Sequence, residues 1–148
     1  MNITIRRIQE SDYQHLFSLI MELAVFEKQP EKVTNSAELM RIEKNYINGF
    51  VAVNNDNEIV GYATCFFAYF TWIGKSLYMD DLYVKQAFRS NGIGSKLINS
   101  VIDFAKKENC KKVRWQVSKW NTPAIEFYKS LGAIIDDVES NCDLMLNK

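Results

Sequence analysis

The chain has 148 residues, with 18 Lys plus Arg balancing 18 Asp plus Glu, 47% hydrophobic residues and 13% aromatic ones. Balanced charge argues against a general nucleic-acid surface, and this apolar content excludes a disordered chain. The length predicts one domain, 1–148, able to bury most of its apolar surface in a single core.

Cys65, Cys110 and Cys142 are odd in number and lack Cys-x-x-Cys spacing, so neither a disulfide framework nor a metal site is predicted, and buried reduced thiols are the expectation. Arg6-Arg7 and Glu10 interrupt the apolar start, and no apolar run approaches the ~20 residues of a membrane span. No leader and no membrane partner are expected, and the predicted location is cytoplasmic.

Along the chain, Ile3 to Ile8 alternates as a first strand. Ser11 with Gln14 reads as a capping box for a helix whose stripe is Leu16, Leu19, Ile20 and Leu23. A polar stretch with Pro30 leads to a second helix, roughly Ser36 to Ile47, ended near Gly49. Phe50 to Val53, the turn Asn54-Asn55-Asp56-Asn57, and Ile59 to Phe70 read as a hairpin, followed by a strand from Ser76 to Val84. The next helix carries Ile93, Leu97, Val101 and Ala105 on one face, with Lys106-Lys107 favourably placed in its last turn. Lys112 to Val117 is a strand, Pro123 to Leu131 a helix stopped by Gly132, and Ala133 to Leu146 a final strand or pair of strands. This order predicts an α/β fold, a mixed twisted sheet of six to seven strands flanked by about four helices.

The densest signal is the strand Leu77 to Val84 feeding Phe88-Arg89-Ser90-Asn91-Gly92-Ile93-Gly94-Ser95-Lys96 and then a helix. A strand, a two-glycine loop and a helix start make a phosphate site, because free backbone N–H groups and the helix dipole converge where Gly permits close approach. A P-loop is excluded because Gly94 is followed by Ser95-Lys96 with no Gly five residues earlier, and a dinucleotide fingerprint because Leu97 stands where its third Gly belongs. What remains is Arg-x-x-Gly-x-Gly, with Trp120-Asn121-Thr122-Pro123-Ala124-Ile125-Glu126-Phe127-Tyr128 downstream.

In these two segments the chain resembles the GNAT superfamily of acyl-CoA N-acyltransferases, and the resemblance extends over essentially the whole chain. Glu22-Leu23-Ala24, Phe26-Glu27, Trp72-Ile73-Gly74-Lys75, Leu77-Tyr78, Gly92-Ile93-Gly94-Ser95 and Trp120-Asn121 are similar to the spermidine/spermine (diamine) acetyltransferase branch. The departures lie on the acceptor side. That branch has Asp-Pro where this chain has Phe70-Thr71, and Glu139 to Asp143 lacks its tryptophan.

The resemblance implies acetyl transfer from acetyl-CoA to a primary amine of a small molecule, a diamine, polyamine or lysine-like amine, by direct attack in a ternary complex. The rival readings are a protein or peptide acetyltransferase and a CoA-binding sensor. Implied for the diphosphate are Arg89 and the amides of Ser90, Asn91, Gly92, Ile93, Gly94 and Ser95. For the thioester carbonyl, backbone N–H groups of Leu82, Tyr83 and Val84 are implied, freed where the strand splays at a bulge. Asn121 and Ala124 complete the cofactor set, Asn121 also capping its helix. The amine needs to lose a proton, since an alkyl amine has a pKa near 10.4. Asp80, Asp81 and Glu27 are the acids that hold the cation, with Asp80 accepting its proton through water and Phe26 and Trp72 walling the channel. Tyr128 matches the family's general acid for the departing thiolate. A homodimer paired along the C-terminal strands is implied as well.

Overall fold

The computed structural model describes residues 2–146 and divides after Trp115 into two compact units. The first holds β1 (Thr4–Arg7), α1 (Tyr13–Phe26), α2 (Ala37–Ile42), β2 (Asn48–Val53), β3 (Ile59–Phe70), β4 (Gly74–Val84), α3 (Ile93–Lys107) and β5 (Val113–Arg114). Its sheet runs β1-β2-β3-β4-β5, antiparallel from β1 through β4 and parallel between β4 and β5. The mixed α/β class matches the sequence expectation.

Tyr13, Leu16 and Leu19 of α1 and Ala37 and Met40 of α2 pack with Val51, Val53, Tyr62 and Tyr83 of the sheet. Each such buried Leu, Met or Val side chain contributes roughly 1.5–3 kcal/mol of transfer free energy. Ile93, Leu97, Ile98, Val101 and Ala105 are the buried face of α3, the i, i+4 stripe read in the sequence. Gly61 lets α3 approach: a Cβ there would lie 2.9 Å from the Tyr83 carbonyl oxygen and 3.2 Å from Leu97 Cδ1. The β2–β3 turn is built by Asn54, whose Oδ1 accepts from the N–H groups of Asp56 and Glu58.

Several boundaries differ from the expectation. The cap before α1 is Gln9 with Asp12, not Ser11 with Gln14; the Gln9 N–H donates to Asp12 Oδ2 at 2.7 Å. Asp12 wins that position because Arg6 grips it with two bonds of 2.8 and 2.9 Å. Burial pushes the Asp12 carboxyl up, and Arg6 and the Gln9 N–H together more than offset that and hold it below the ordinary range. The second helix ends at Ile42, with a separate 3₁₀ turn over Lys44–Tyr46, so it is half the expected length. Of the three thiols only Cys65 is buried; Cys110 is half-buried and Cys142 exposed.

The sheet has five strands rather than six or seven. β5 keeps only Val113 and Arg114 of the expected Lys112 to Val117, and residues 133–146 contain no strand. A strand exists only where its N–H and C=O groups find a ladder. The last segment carries Asp136, Asp137, Asn141 and Asp143, residue types poorly suited to a pleated surface. Its apolar residues are solvent-facing, Ile134 at 94% exposure.

The second unit contains α4 (Thr122–Ser130), followed by the C-terminal segment. Asn121 caps α4 as expected, its side chain accepting from the Ala124 N–H at 3.3 Å, with Pro123 in the first turn. Gln116 Nε2 donates to Asn141 Oδ1 at 3.0 Å, tying the start of this unit to its end.

Candidate active site

The centre of the first unit's chemistry is an irregularity in β4. Thr64 pairs with Asp81 and Cys65 with Met79, so Asp80 is the extra residue of a β-bulge. A strand alternates its side chains between faces, and the bulge breaks that alternation, letting Asp80 and Asp81 line the same cleft. Thr64 Oγ1 accepts from the Asp81 N–H at 3.2 Å and steadies the distortion.

The cleft holds about 170 Å³ and is bounded by Ile20, Asn35, Met40, Tyr46, Ile47, Asn48, Thr64, Cys65 and Phe66 besides the two acids. A second cleft of about 230 Å³ is bounded by Ile20, Leu23, Ala24, Glu27, Gln29, Val33 and Asp81. Ile20 and Asp81 border both.

Burial pushes the Asp81 carboxyl up to about 6, with Asp80 and Glu27 adding to the rise and the Tyr62 hydroxyl opposing it. Desolvation at the cleft raises Asp80 as well. Tyr62 is driven well above the ordinary phenol range, first by burial and then by Asp81, so it stays a donor. Burial lifts the Cys65 thiol to about 11, which leaves it protonated and unreactive.

At the far end of β4, Leu82, Tyr83 and Val84 pair with Ala63, Tyr62 and Gly61. The bulge at Asp80 therefore sits just upstream of them. Their open edge has another origin: β5 pairs with β4 only at Leu77 and Tyr78. The Lys85 N–H donates to the Val60 carbonyl, on the β3 side. Alternation then turns the N–H groups of Leu82 and Val84 toward the edge that β5 leaves unpaired.

Arg89 is exposed, but its side chain is held in place. Its Nε donates to the Val84 carbonyl at 2.8 Å, and its guanidinium lies 5.0 Å from the Phe26 ring centroid and 5.4 Å from that of Tyr83. Tyr83 in turn donates to Glu22 Oε1 at 3.1 Å, and Glu22 pairs with Lys85 at 3.9 Å. Beyond Arg89, Ser90 and Gly92 both take left-handed backbone, at φ 68° and 76°, and no side chain caps α3. A Cβ on Gly92 would meet nothing within 4 Å. The first-turn amides of α3, at Ile93, Gly94 and Ser95, thus have no side-chain cap, and they stand at the positive end of a 15-residue helix.

The expected residues divide as follows. Asp80, Asp81 and Glu27 gather on the two clefts. Leu82, Tyr83 and Val84 end β4, and Arg89, bound to the Val84 carbonyl, and the loop from Ser90 to Ser95 lead from there into α3. Phe26 stacks on Arg89 and borders neither cleft, and Trp72 stands 97% exposed at the β3–β4 turn, also away from both. In the second unit Asn121 and Ala124 form the α4 cap, and Tyr128 is buried at 8% exposure beside Phe127, ring centroids 5.5 Å apart. Sequence reasoning missed Tyr62, and had Glu22 only within a resembling segment, without its bond from Tyr83. Counting back from the hairpin turn would have paired Tyr62 with Leu82; only the bulge moves it opposite Tyr83 and within reach of Asp81.

Residues 5–133 match the family model described as Acetyltransferase (GNAT) family. The chain is 37% identical over 142 residues to the thialysine N-epsilon-acetyltransferase of Bos taurus, covering 88% of this chain and 84% of that protein. It is 31% identical to spermidine/spermine N(1)-acetyltransferase-like protein 1 of Homo sapiens over 88% of this chain, although only 20% of that longer protein is covered. Among solved structures, an aminoglycoside acetyltransferase from an uncultured soil metagenomic sample superposes with a TM-score of 0.78 at 27% identity, covering 98% of this chain and 97% of that one.

Proposed function

The chain belongs to the GNAT acetyltransferase family and is an acetyltransferase, and from that premise we propose that it moves the acetyl group of acetyl-CoA onto a primary amine of a small molecule. The single observation carrying the acceptor class is the Asp80 bulge, which sets two carboxyls on one cleft and brings a third, Glu27, to the adjoining one. Such a site attracts a cation, and a protonated amine is what an N-acetyltransferase must accept. The relative named for thialysine, a lysine analogue, supports a compact amine.

Each chemical demand has a candidate. The amides of the Ser90 to Ser95 loop, the α3 dipole and Arg89 suit a diphosphate. The Leu82 and Val84 N–H groups on the open edge suit the thioester carbonyl and its arm. Asp81, mostly ionised at neutrality, anchors the ammonium, and Asp80 takes its proton through a water. The neutral nitrogen then attacks the thioester carbon, the C–S bond breaks, and the thiolate takes a proton, a role we assign by family resemblance to Tyr128.

Two wider readings accompany this one. The exposed apolar residues Ile134, Val138, Leu144, Met145 and Leu146 support a homodimer paired through the C-terminal segment; light scattering showing a monomer at micromolar concentration removes it. Three free cysteines suit a reducing compartment, and we place the protein in the cytoplasm, which fractionation checks.

The decisive experiment is CoA release with polyamines, basic amino acids, aminoglycosides and peptides as acceptors. Activity on small amines supports the assignment. Turnover confined to peptides overturns the acceptor class while leaving acetyl transfer standing.

A further inference from the structure

Arg89 is an exposed cation that two separate elements hold at once. Its Nε donates to the Val84 carbonyl at 2.8 Å, and its guanidinium lies 5.0 Å from the Phe26 ring centroid and 5.4 Å from that of Tyr83. Tyr83 belongs to β4, directly ahead of Val84, whereas Phe26 is the last residue of α1. α1 packs into the core through Tyr13, Leu16 and Leu19, with Phe17, Ile20 and Leu23 against it. Phe26 instead stays 38% exposed at the helix end, so burial in the core does not hold its ring.

The charges around Arg89 leave it un-neutralised. Glu22 is engaged elsewhere: Oε1 accepts from the Tyr83 hydroxyl at 3.1 Å, and Oε2 lies 3.9 Å from Lys85 Nζ. The Tyr83 phenol feels both neighbours, since burial raises it first, Glu22 raises it further and Arg89 pulls it back. Among the described residues no carboxylate lies within ion-pair distance of Arg89. A ring face attracts a guanidinium without neutralising it, whereas a carboxylate would cancel the charge. A free arginine loses much side-chain freedom when it grips an anion, and that loss weakens binding. Two rings and a backbone carbonyl remove the freedom beforehand and leave the charge for a ligand.

Resting on the reading that the Arg89 loop receives the acetyl-CoA diphosphate, we propose that Phe26 is a positioning residue for the cofactor. Its ring, with that of Tyr83, sets the guanidinium in place before the diphosphate arrives. α1 thus acts on cofactor binding from outside the two-glycine loop, and the Phe26 ring takes no part in the chemistry.

Calorimetric titration with acetyl-CoA tests this in the wild-type protein and in F26L, F26Y, R89Q and F26L/R89Q. F26L keeps an apolar side chain at the helix end but removes the ring, and the Kd should rise about fivefold, the scale of one lost ring contact on a cation. F26Y restores the ring and should bind within about twofold of wild type. In the R89Q background F26L should add less than about twofold, because its effect passes through the guanidinium. Thermal melts confirm folding, and F26M, an unbranched apolar chain, supplies the same contrast if F26L melts low. Equal fold losses from F26L with and without Arg89 assign Phe26 to packing of the helix end and overturn the proposal. A loss in F26Y as large as in F26L overturns it too. A wild-type protein that fails to bind acetyl-CoA removes the underlying cofactor reading, an outcome distinct from binding that is indifferent to Phe26, which overturns this proposal alone.

Discussion

The buried Tyr62 hydroxyl donates a 2.9 Å hydrogen bond to Asp81 Oδ2, from a residue with no solvent exposure to one on the border of two clefts. The bond stabilises the carboxylate form, while burial, Asp80 and Glu27 work against it. The balance leaves Asp81 titrating at about 6, close enough to neutrality that its charge answers to pH and to a bound cation.

Raising a carboxyl above its unfolded value has a stability cost with a defined sign. The folded state binds the proton more tightly, so this group favours folding least at high pH: its contribution is greatest below about 4 and is lost as pH rises through about 6. Asp81→Asn should therefore stabilise the protein at pH 8 by up to about 3 kcal/mol, and the gain should vanish at pH 4. Denaturant melts at the two pH values measure it. A loss of stability at pH 8 means that ionised Asp81 is held by contacts stronger than the burial it suffers.

Tyr62→Phe removes the one contact that favours ionised Asp81 through a side-chain hydrogen bond. The Asp81 pKa should rise by roughly one unit, and the acid limb of kcat/KM for an amine acceptor should move upward with it. The pH–rate profile reads this directly. An unmoved limb assigns it to another group, Asp80 first.

How much of this was legible in the sequence depends on the residue. The stripe Ile93, Leu97, Val101, Ala105 and the glycines before it carry their own periodicity and turn chemistry, so α3 and its loop were placed correctly. Asn121 likewise announces its helix by its type and by Pro123. A bulge in this strand was expected from the resemblance and from the paired acids, but which residue is the extra one leaves no compositional mark, and that residue, Asp80, decides what faces the cleft. Ser11 lost the α1 cap to Asp12 through a tertiary contact, the grip of Arg6 from β1, which no local pattern reveals. The final strand or pair of strands expected over Ala133 to Leu146 did not form, because the apolar content of Ile134-Ile135 and Leu144 to Leu146 cannot alone supply the missing ladder.

Gly92 and Gly61 separate a binding role from a packing role. Gly92 has φ 76° with open space where a Cβ would go, so Gly92→Ala costs backbone strain of about 1–2 kcal/mol and meets no clash. Because the strain falls on the loop at the uncapped start of α3, the Kd of acetyl-CoA should rise about tenfold, the equivalent of about 1.4 kcal/mol. Gly61→Ala instead drives a methyl to 2.9 Å from the Tyr83 carbonyl oxygen and should lower Tm more while its folded fraction binds acetyl-CoA normally. Calorimetric titration paired with thermal melts distinguishes them. Equal effects on binding would remove the loop from the cofactor site.

Asp80→Asn tests the proposed division of labour between the paired acids. Asparagine keeps the size of the bulged side chain but cannot accept a proton, so kcat should fall about 10²-fold if Asp80 relays the amine's proton. Asp81→Asn, by contrast, should act mainly on the KM of the cationic acceptor. If the two substitutions exchange these signatures, the base is Asp81.

Tyr128→Phe isolates a single hydroxyl. Tyr128 sits in α4 with its ring buried beside Phe127, and phenylalanine preserves that ring and its contact. Acetyl-CoA affinity should therefore change little, within about threefold for the Kd, since cofactor contacts are assigned to other groups. Turnover should fall about 10²-fold or more, the usual loss when a general acid is removed from a leaving group. The leaving group supplies a sharper check. A thioester whose thiol has a lower pKa needs less protonation as it departs, so an activated thioester should recover much of the lost rate in the variant and gain little in the wild type. Recovery of that kind identifies a proton donor; a uniform loss with every thioester identifies a packing residue.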